Sequence, residues 1–166
     1  MFVFSSLTGL AYVDLRNLYP HHIGTTADGR KYIREKRAKT KNEAFIPLHP
    51  IAEQIMSLYN TTDDNKPVFP LSNRDRMWFE YHALGVALNI EESLSAHVAR
   101  HTFGVNMVTS SISMESVAKM MGHSNLRSTQ VYAVITDNKI SKDMDKLMER
   151  RKTKGSDEKR NKEDEK

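Results

Sequence analysis

The chain has 166 residues, of which 39% are hydrophobic, and a net charge of +4; this is enough for one domain with a modest core and too little for two. It contains no cysteine, which excludes disulfides and thiolate metal sites and agrees with a reducing compartment such as the cytoplasm. The apolar start is broken by serines and soon followed by charged residues, so we expect neither a secretory signal peptide nor a membrane span.

Positive charge is concentrated in two segments. Residues 150–166 hold eight Lys and Arg against five Asp and Glu with almost no apolar side chains, which predicts a disordered tail after a folded domain over 1–149. Residues 30–41 carry seven basic residues against Glu35 alone. A local patch of this kind is suited to contacting DNA phosphates. The DNA contacts predicted in it are Arg34, Lys36, Arg37 and Lys41.

The first third of the chain is predicted to form a helical segment and a small sheet. Apolar spacing indicates a helix over residues 2–18, which Gly9 should interrupt or bend. Alternation over 31–36 and the apolar run 44–48 indicate antiparallel strands. Lys39 then lies at the tip of their hairpin.

The remainder is predicted to be helical, which makes the fold mainly α with a small antiparallel β-sheet (α+β). Four predicted helices span about residues 50–59, 73–88, 95–108 and 113–122. The last two begin at Ser95 and Ser113, whose hydroxyls can cap a helix N-terminus. The helix over 73–88 has so broad an apolar face that we expect it to be well buried. Ser128 can begin a helix carrying Tyr132, and an amphipathic helix starts at about Asp137.

An ordered set of polar residues occupies the second half of the chain. His97, Arg100 and His101 share one side near a helix N-terminus, where the backbone dipole favours an anion. His123 and Tyr132 follow. Histidines, an arginine and a phenol are suited to nucleophilic attack on a phosphodiester, because positioned donors stabilise the charge that develops on its oxygens.

The sequence around these residues carries a family resemblance. Residues 95–103 resemble the His-x-x-Arg-His box of tyrosine recombinases, the phage integrase family, and residues 121–132 resemble its closing Gly-His…Tyr box. Thr8-Gly9-Leu10 resembles the start of that family's catalytic domain, and Lys39 falls where the family carries its catalytic lysine. The resemblance covers roughly residues 4–148 and is greatest to integrases of mobile elements in Bacteroides-type bacteria.

The resemblance implies a tyrosine recombinase catalytic-domain fold and a role for each residue on double-stranded DNA. Tyr132 becomes joined to the 3′ phosphate while a 5′ hydroxyl leaves. Arg100 pairs with the phosphate oxygens, His97 and His123 donate further hydrogen bonds, and His97 is also the base. Lys39 is the general acid, and no metal or other cofactor is required. The helix from about Asp137 is expected to mediate self-association on DNA, as the C-terminal segment of relatives does; a monomer that packs this helix onto itself is equally compatible with the sequence.

Two departures from the family accompany the resemblance. An arginine normally follows Thr-Gly-Leu, but this chain has Ala11, and loss of one such donor would slow the chemistry by about 10²–10³-fold. Arg16, Arg30 or Arg74 could supply the missing group, and the sequence does not choose among them. Relatives also place a further DNA-binding domain before this region, so the chain is expected to be an isolated catalytic domain with weak DNA affinity.

Two other functions remain open at this point. The chain could be a catalytically impaired recombinase-fold module that only binds DNA or a partner subunit, which the absence of the arginine at position 11 favours. It could also be a metal-dependent hydrolase in which His97, His101 and His123 bind zinc. Trapping a covalent DNA adduct that depends on Tyr132 would distinguish a tyrosine recombinase from the binding module and from the metal-dependent hydrolase.

Overall fold

A computed structural model describes residues 1–59, 62–133, 141, 144, 145 and 148 of the chain. The chain divides into two compact units, Met1–Ala133 and Val134–Lys166. The helix predicted from about Asp137 lies largely outside the described residues, and the tail predicted from residue 150 lies wholly outside them.

The first unit is mainly helical with one three-stranded antiparallel sheet, so the predicted fold class is confirmed. The first half contains α1 (Phe2–Thr8), α2 (Tyr12–Arg16), a 3-10 turn (Pro20–His22), β1 (Ile23–Thr25), β2 (Lys31–Lys36) and β3 (Glu43–Pro47). The second half contains α3 (Pro50–Ser57), α4 (Arg74–Ala87), α5 (Ala96–Thr109), α6 (Met114–Met120) and α7 (Arg127–Gln130). Along the part of the chain that is described, no helix is long and apolar enough to cross a membrane.

Capping residues set the helix boundaries where the sequence predicted them. Gly9 ends α1 in the left-handed conformation, with φ at 68°, so the predicted first helix is two helices rather than one bent helix. The Ser95 hydroxyl accepts the Val98 N–H at 3.2 Å at the start of α5. Ser113 accepts the Ser116 N–H at 3.2 Å at the start of α6.

The sheet presents one apolar face to the core and one basic face to solvent. Its strands pair in the order β1, β2, β3, and Ile33 lies opposite Ile46 with both side chains buried. Arg34 and Lys36 alternate with the buried positions and are exposed. The turn between β2 and β3 carries Lys39 at its tip, as predicted.

Buried side chains form three clusters, the smallest of which is Met77, Tyr81 and Leu94; the other two include residues of α1 and of α5, two helices that pack against each other. The first joins the N-terminal helices to the sheet and the loop before α4; its largest members are Phe4, Leu10, Leu15, Leu18, Ile33, Ile46 and Phe69. The second joins the last three helices of the unit and contains Phe103, Val108, Val117, Met121 and Tyr132. The second cluster therefore brings Tyr132 towards the motif on α5.

Helix α4 is much more exposed than predicted. Its buried residues are Met77, Tyr81 and Gly85, which follow one another at four-residue spacing. Phe79 and Val86, by contrast, are 65% and 64% exposed. The apolar residues are spread around the whole helix, so only one narrow stripe of them can face the core. The prediction of a well-buried helix was therefore wrong.

Candidate active site

Arg100 occupies the centre of the site and connects three segments of the chain. One terminal nitrogen, Nη2, donates to the Met121 carbonyl at 2.8 Å and lies 3.0 Å from Nε2 of His123. The other, Nη1, donates to the Gly9 carbonyl. Burial, with a smaller contribution from the cation of Arg37, lowers the pKa of Arg100 to about 10, although Tyr132 and Asp14 oppose the shift. The guanidinium therefore stays charged at neutral pH.

The contacts of His123 define its tautomer. An arginine can only donate, so Nε2 accepts from Arg100 and the proton lies on Nδ1, 2.8 Å from the hydroxyl of buried Thr129. Burial lowers the pKa of His123 to about 4, and the nearby cations Arg100 and Arg37 contribute to the shift. The imidazole is thus neutral at pH 7 and orients Arg100. Donation to a phosphate through Nε2, the role expected from the sequence, would require the other tautomer.

Tyr132 lies in the same site, just after α7, and is 5% exposed. Its ring stacks on His123 with centroids 6.2 Å apart and an interplanar angle of 14°. His101 packs on the tyrosine by its edge, with ring centroids 5.1 Å apart. The α5 residue behind the ring is Gly104, where a Cβ atom would lie 2.7 Å from the nearest ring atoms. Only glycine lets the phenol approach α5 this closely.

His97 lies on the first turn of α5 and is exposed. It borders a cleft of about 360 Å³, which Arg100 also lines and which we call the α4–α5 cleft. Ala11, the position without the family arginine, lines the cleft, as does Arg74 at the start of α4. The cleft is therefore large enough for a phosphate group next to Arg100.

The hairpin turn that carries Lys39 is attached to the site through both neighbours of that residue. The Ala38 N–H donates to Oδ1 of Asp14 at 2.8 Å. The Thr40 hydroxyl donates to the Gly122 carbonyl at 2.9 Å, directly before His123. Lys39 itself is exposed. Its backbone is thus fixed beside the site while its side chain remains accessible.

Arg37 differs from the sequence prediction that it belongs to an exposed DNA-binding patch. It is 6% exposed, and its Nε donates to Oδ2 of buried Asp14 at 2.7 Å. Its Nη1 donates to the Met121 carbonyl at 2.8 Å. The remaining predicted DNA contacts, Arg34, Lys36 and Lys41, are exposed.

The burial of Arg37 has a physical reason that the sequence does not display. Asp14 is 2% exposed, and a buried carboxylate requires a cation and hydrogen-bond donors. The Arg37 side chain reaches it by crossing Gly122, where a Cβ atom would lie 2.5 Å from its Cγ. A single acidic residue on α2 was the only signal in the sequence that could have indicated this partner.

The zinc interpretation finds no support in the site. Both ring nitrogens of His123 are engaged, by Arg100 and by Thr129. Within the described part of the chain, no three His, Asp or Glu side chains are grouped so that they could hold a metal ion.

The helical fold, with a tyrosine and a histidine gathered around one buried arginine, has the form of a tyrosine recombinase catalytic domain. The sequence model of the phage integrase family matches residues 2–139, and the chain belongs to that family. Tyrosine recombinase XerC of Haemophilus influenzae (strain PittEE) is 27% identical over 159 residues, which is 89% of this chain and 52% of that protein. Tyrosine recombinase XerD of Staphylococcus aureus is 33% identical over 73 residues, or 44% of this chain and 24% of that protein.

Solved structures show the same fold. The crystal structure of XerA recombinase matches with a TM-score of 0.65 and 19% identity over 86% of this chain and 54% of that chain. The Tn1549 transposon integrase in complex with transposon right end DNA matches with a TM-score of 0.65 and 16% identity. That match covers 89% of this chain and 57% of the integrase. The chain thus spans about half the length of these relatives or less.

Proposed function

We propose that the chain is the catalytic domain of a site-specific DNA recombinase that cuts and rejoins strands through a phosphotyrosine intermediate. The observation that carries this proposal is the position of Tyr132, which packs against His123 and next to the buried cation Arg100. A phenol is a weak nucleophile at neutral pH, because its ordinary pKa is about 10. Adjacent positive charge favours the phenolate and the developing charge on the phosphate.

The reaction conserves the bond energy of the DNA backbone. Oη of Tyr132 attacks the phosphorus and loses its proton to His97, and the bond from phosphorus to the 5′ oxygen breaks. Lys39 supplies the proton that the leaving 5′ hydroxyl needs, while Arg100 stabilises the non-bridging oxygens. Attack by a 5′ hydroxyl on the phosphotyrosine then reverses the steps and joins the new strands. Each step uses side chains alone, so we propose that neither a metal nor a small-molecule cofactor takes part.

The DNA would bind across the exposed basic face of the sheet and the α4–α5 cleft. Arg34 lies over the rings of Tyr32 and Phe45 at 5.4 and 5.3 Å, which fixes its guanidinium at the surface. Lys36 and Lys41 extend this face along the hairpin. Such contacts bind the phosphate backbone without reading its sequence.

A nicked suicide duplex tests the proposal. Cleavage releases a short DNA fragment that diffuses away, so the strand cannot be rejoined and the covalent intermediate accumulates. The chain is incubated in the presence of EDTA with such a duplex, taken from the end of the mobile element that encodes the protein, and the products are analysed on a denaturing gel. Wild type should give a protein–DNA adduct, and Tyr132→Phe, which keeps the ring stacking, should give none. DNA binding without an adduct in wild type would instead favour a binding module, and an adduct in the phenylalanine variant would exclude Tyr132 as the nucleophile.

We also propose that the protein acts in the cytoplasm on a mobile element and that copies associate on DNA through the C-terminal segment. The spacing of Ile140, Met144, Leu147 and Met148 in the sequence supports an apolar face for this association. Replacing these residues by serine should reduce the size of complexes on DNA, measured by light scattering, while cleavage of a single site is retained. Complexes of unchanged size would refute the role of this segment.

A further inference from the structure

The outer face of the sheet carries two aromatic rings among its basic residues. Tyr32 on β2 and Phe45 on β3 are half-buried, with ring centroids 4.9 Å apart and an interplanar angle of 40°. The Tyr32 ring lies against the backbone of Gly24 on β1, where any Cβ atom would overlap it. The two rings therefore form a layer on the sheet, which we call the aromatic layer.

Arg34 lies over the aromatic layer. Its guanidinium carbon is 5.4 Å from the ring centroid of Tyr32 and 5.3 Å from that of Phe45. Arg34 is exposed, so solvent reaches the side of the guanidinium that faces away from the rings. Aromatic rings and guanidinium planes are the surfaces on which unpaired nucleic-acid bases stack.

The aromatic layer lies on a path that leads away from the candidate active site. Lys39 is at the tip of the hairpin, and Lys36 is the first residue of β2 next to the tip that faces outwards. Arg34, with Phe45 directly opposite, is the next outward position, and Tyr32 follows. Successive outward positions on a strand are about 6.6–6.8 Å apart. The path is thus basic near the site and aromatic farther from it.

The charge along this path is complementary to a DNA strand. Lys36 and Lys41 are exposed. Glu43, the acidic residue opposite Lys36, also lies 3.7 Å from Lys119, whose ammonium group compensates its charge. These cations can bind the phosphates of a duplex and of a single strand alike. Phosphate binding by itself therefore does not account for the rings between them.

Duplex DNA does not explain the aromatic layer, because its base faces are stacked on one another inside the double helix. A single strand exposes these faces. The proposed reaction produces such a strand: once the bond to the 5′ oxygen has broken, the released strand must unpair from its complement before it can be joined to a new partner. Its first nucleotide carries the 5′ hydroxyl that receives a proton from Lys39, and the path along β2 starts at that residue.

We infer that the outer face of the sheet binds the single strand that cleavage releases, with its phosphates on Lys36 and Lys41 and its bases stacked on the aromatic layer and on Arg34. This inference rests on the proposed function and names the form of DNA that this surface holds after cleavage. Before cleavage the same cations contact the duplex backbone, and the rings take no part in the chemical step.

Binding of a single strand tests the inference. The probes are an oligothymidylate of about ten nucleotides and a duplex of the same length, and affinity is measured by fluorescence anisotropy. The double variant Tyr32→Leu with Phe45→Leu keeps apolar side chains but removes both aromatic faces. It should bind the single strand about 5–100-fold more weakly than wild type. Its affinity for the duplex should change by less than about threefold, because Arg34 and Lys36 keep their charges.

Three control variants accompany the double variant. Tyr32→Phe keeps the aromatic face and should bind the single strand within about twofold of wild type. Phe79→Leu removes an aromatic ring that is 65% exposed on α4, outside the sheet, and it should have no effect on the single strand. Lys36→Ala should weaken both forms of DNA alike. An equal loss on duplex and single strand in the double variant, or the same loss in Phe79→Leu, would overturn the inference.

Photocrosslinking tests the same contact in the unaltered protein, so the answer does not depend on the folding of a variant. An oligothymidylate with 5-iodouracil at single positions is irradiated in complex with wild type, and the crosslinked residue is identified by mass spectrometry. Crosslinks should fall on Tyr32 or Phe45, because this base reacts with the aromatic side chain on which it stacks. Crosslinks confined to residues outside the sheet would overturn the inference.

The outcomes separate the inference from the proposed function. If wild type forms the Tyr132-dependent adduct but binds the single strand as tightly without the two rings, only the inference fails. If the rings are required for the single strand but no adduct forms on the suicide duplex, the proposed function fails. The surface would then bind single strands without receiving them from cleavage, which overturns the inference as stated.

Discussion

Substituting Gly104 by alanine should separate the activity of the protein from its stability. The new Cβ atom would lie 2.7, 2.7 and 2.8 Å from three ring atoms of Tyr132, well inside van der Waals contact. The Tyr132 ring cannot stay in place beside the new methyl group, and it also packs against His123 and His101. The tyrosine must therefore shift away from α5, and its contacts with the two histidines must change.

The effect on folding should be small because two contributions oppose each other. Alanine is favoured over glycine inside a helix by about 0.8–1 kcal/mol. Overpacking a core by one methyl group costs about 1–3 kcal/mol. The net change is a loss of about 0–2 kcal/mol, which leaves the protein folded at 25 °C. A displacement of the nucleophile by up to about 1 Å, by contrast, can slow a reaction by about 10²-fold.

The assay compares the rate of adduct formation with the midpoint of thermal unfolding for two variants. Gly85→Ala is the control, because Gly85 is also a buried helical glycine but its Cβ would lie an ordinary 3.4 Å from Leu94. This control should keep the wild-type rate and gain up to about 1 kcal/mol in stability. Gly104→Ala should slow adduct formation by about 10–100-fold. A rate within twofold of wild type would show that Tyr132 does not react from its position against α5.

Two further predictions concern pH and salt. Burial raises the pKa of Glu35 from its ordinary 4.5 to about 8, so between these values the folded state retains a proton that the unfolded state has lost. The free energy of unfolding should therefore fall as the pH rises through this window, by at most about 1.4 kcal/mol per pH unit. In Glu35→Gln this dependence on pH, measured by urea unfolding, should be weaker. An equal dependence in the variant would contradict the raised pKa of Glu35. Arg34→Ala and Lys36→Ala should each reduce the dependence of log K for DNA on log salt by about 0.9, measured by fluorescence anisotropy. Lys66→Ala is the control, since Lys66 pairs with Asp63 at 3.4 Å, and an equal reduction there would show that the effect is not local to the sheet.

The parts of this fold that the sequence predicted correctly depend on local physics. Helices α5 and α6 begin directly after Ser95 and Ser113, because each serine hydroxyl accepts a hydrogen bond from the backbone N–H three residues later. The hairpin follows from alternation and turn residues, and both are visible in short windows. The motif residues on α5 were predicted because their spacing and flanking sequence resemble a family. None of these required knowledge of distant contacts.

The parts that the sequence did not predict depend on contacts between distant residues. Arg37 lies in a basic run that is typical of an exposed surface, and only the fold shows Asp14, 23 residues earlier, as its partner. The exposure of α4 depends on how much of its circumference other elements cover, which its own apolar residues do not reveal. Gly104 was not singled out, because the ring it accommodates lies beyond two further helices.

The Met121 carbonyl explains how two buried cations can coexist at the site. Met121 is the C-terminal cap of α6, and the last carbonyls of a helix lack partners within the helix and carry partial negative charge. Arg37 and Arg100 both donate to this carbonyl, so together they satisfy an acceptor that the helix leaves open. The same contacts hold the guanidinium groups beside His123 and Tyr132 before any DNA is bound. Positioning of this kind spares the reorganisation that flexible cations would require when charge develops on the phosphate.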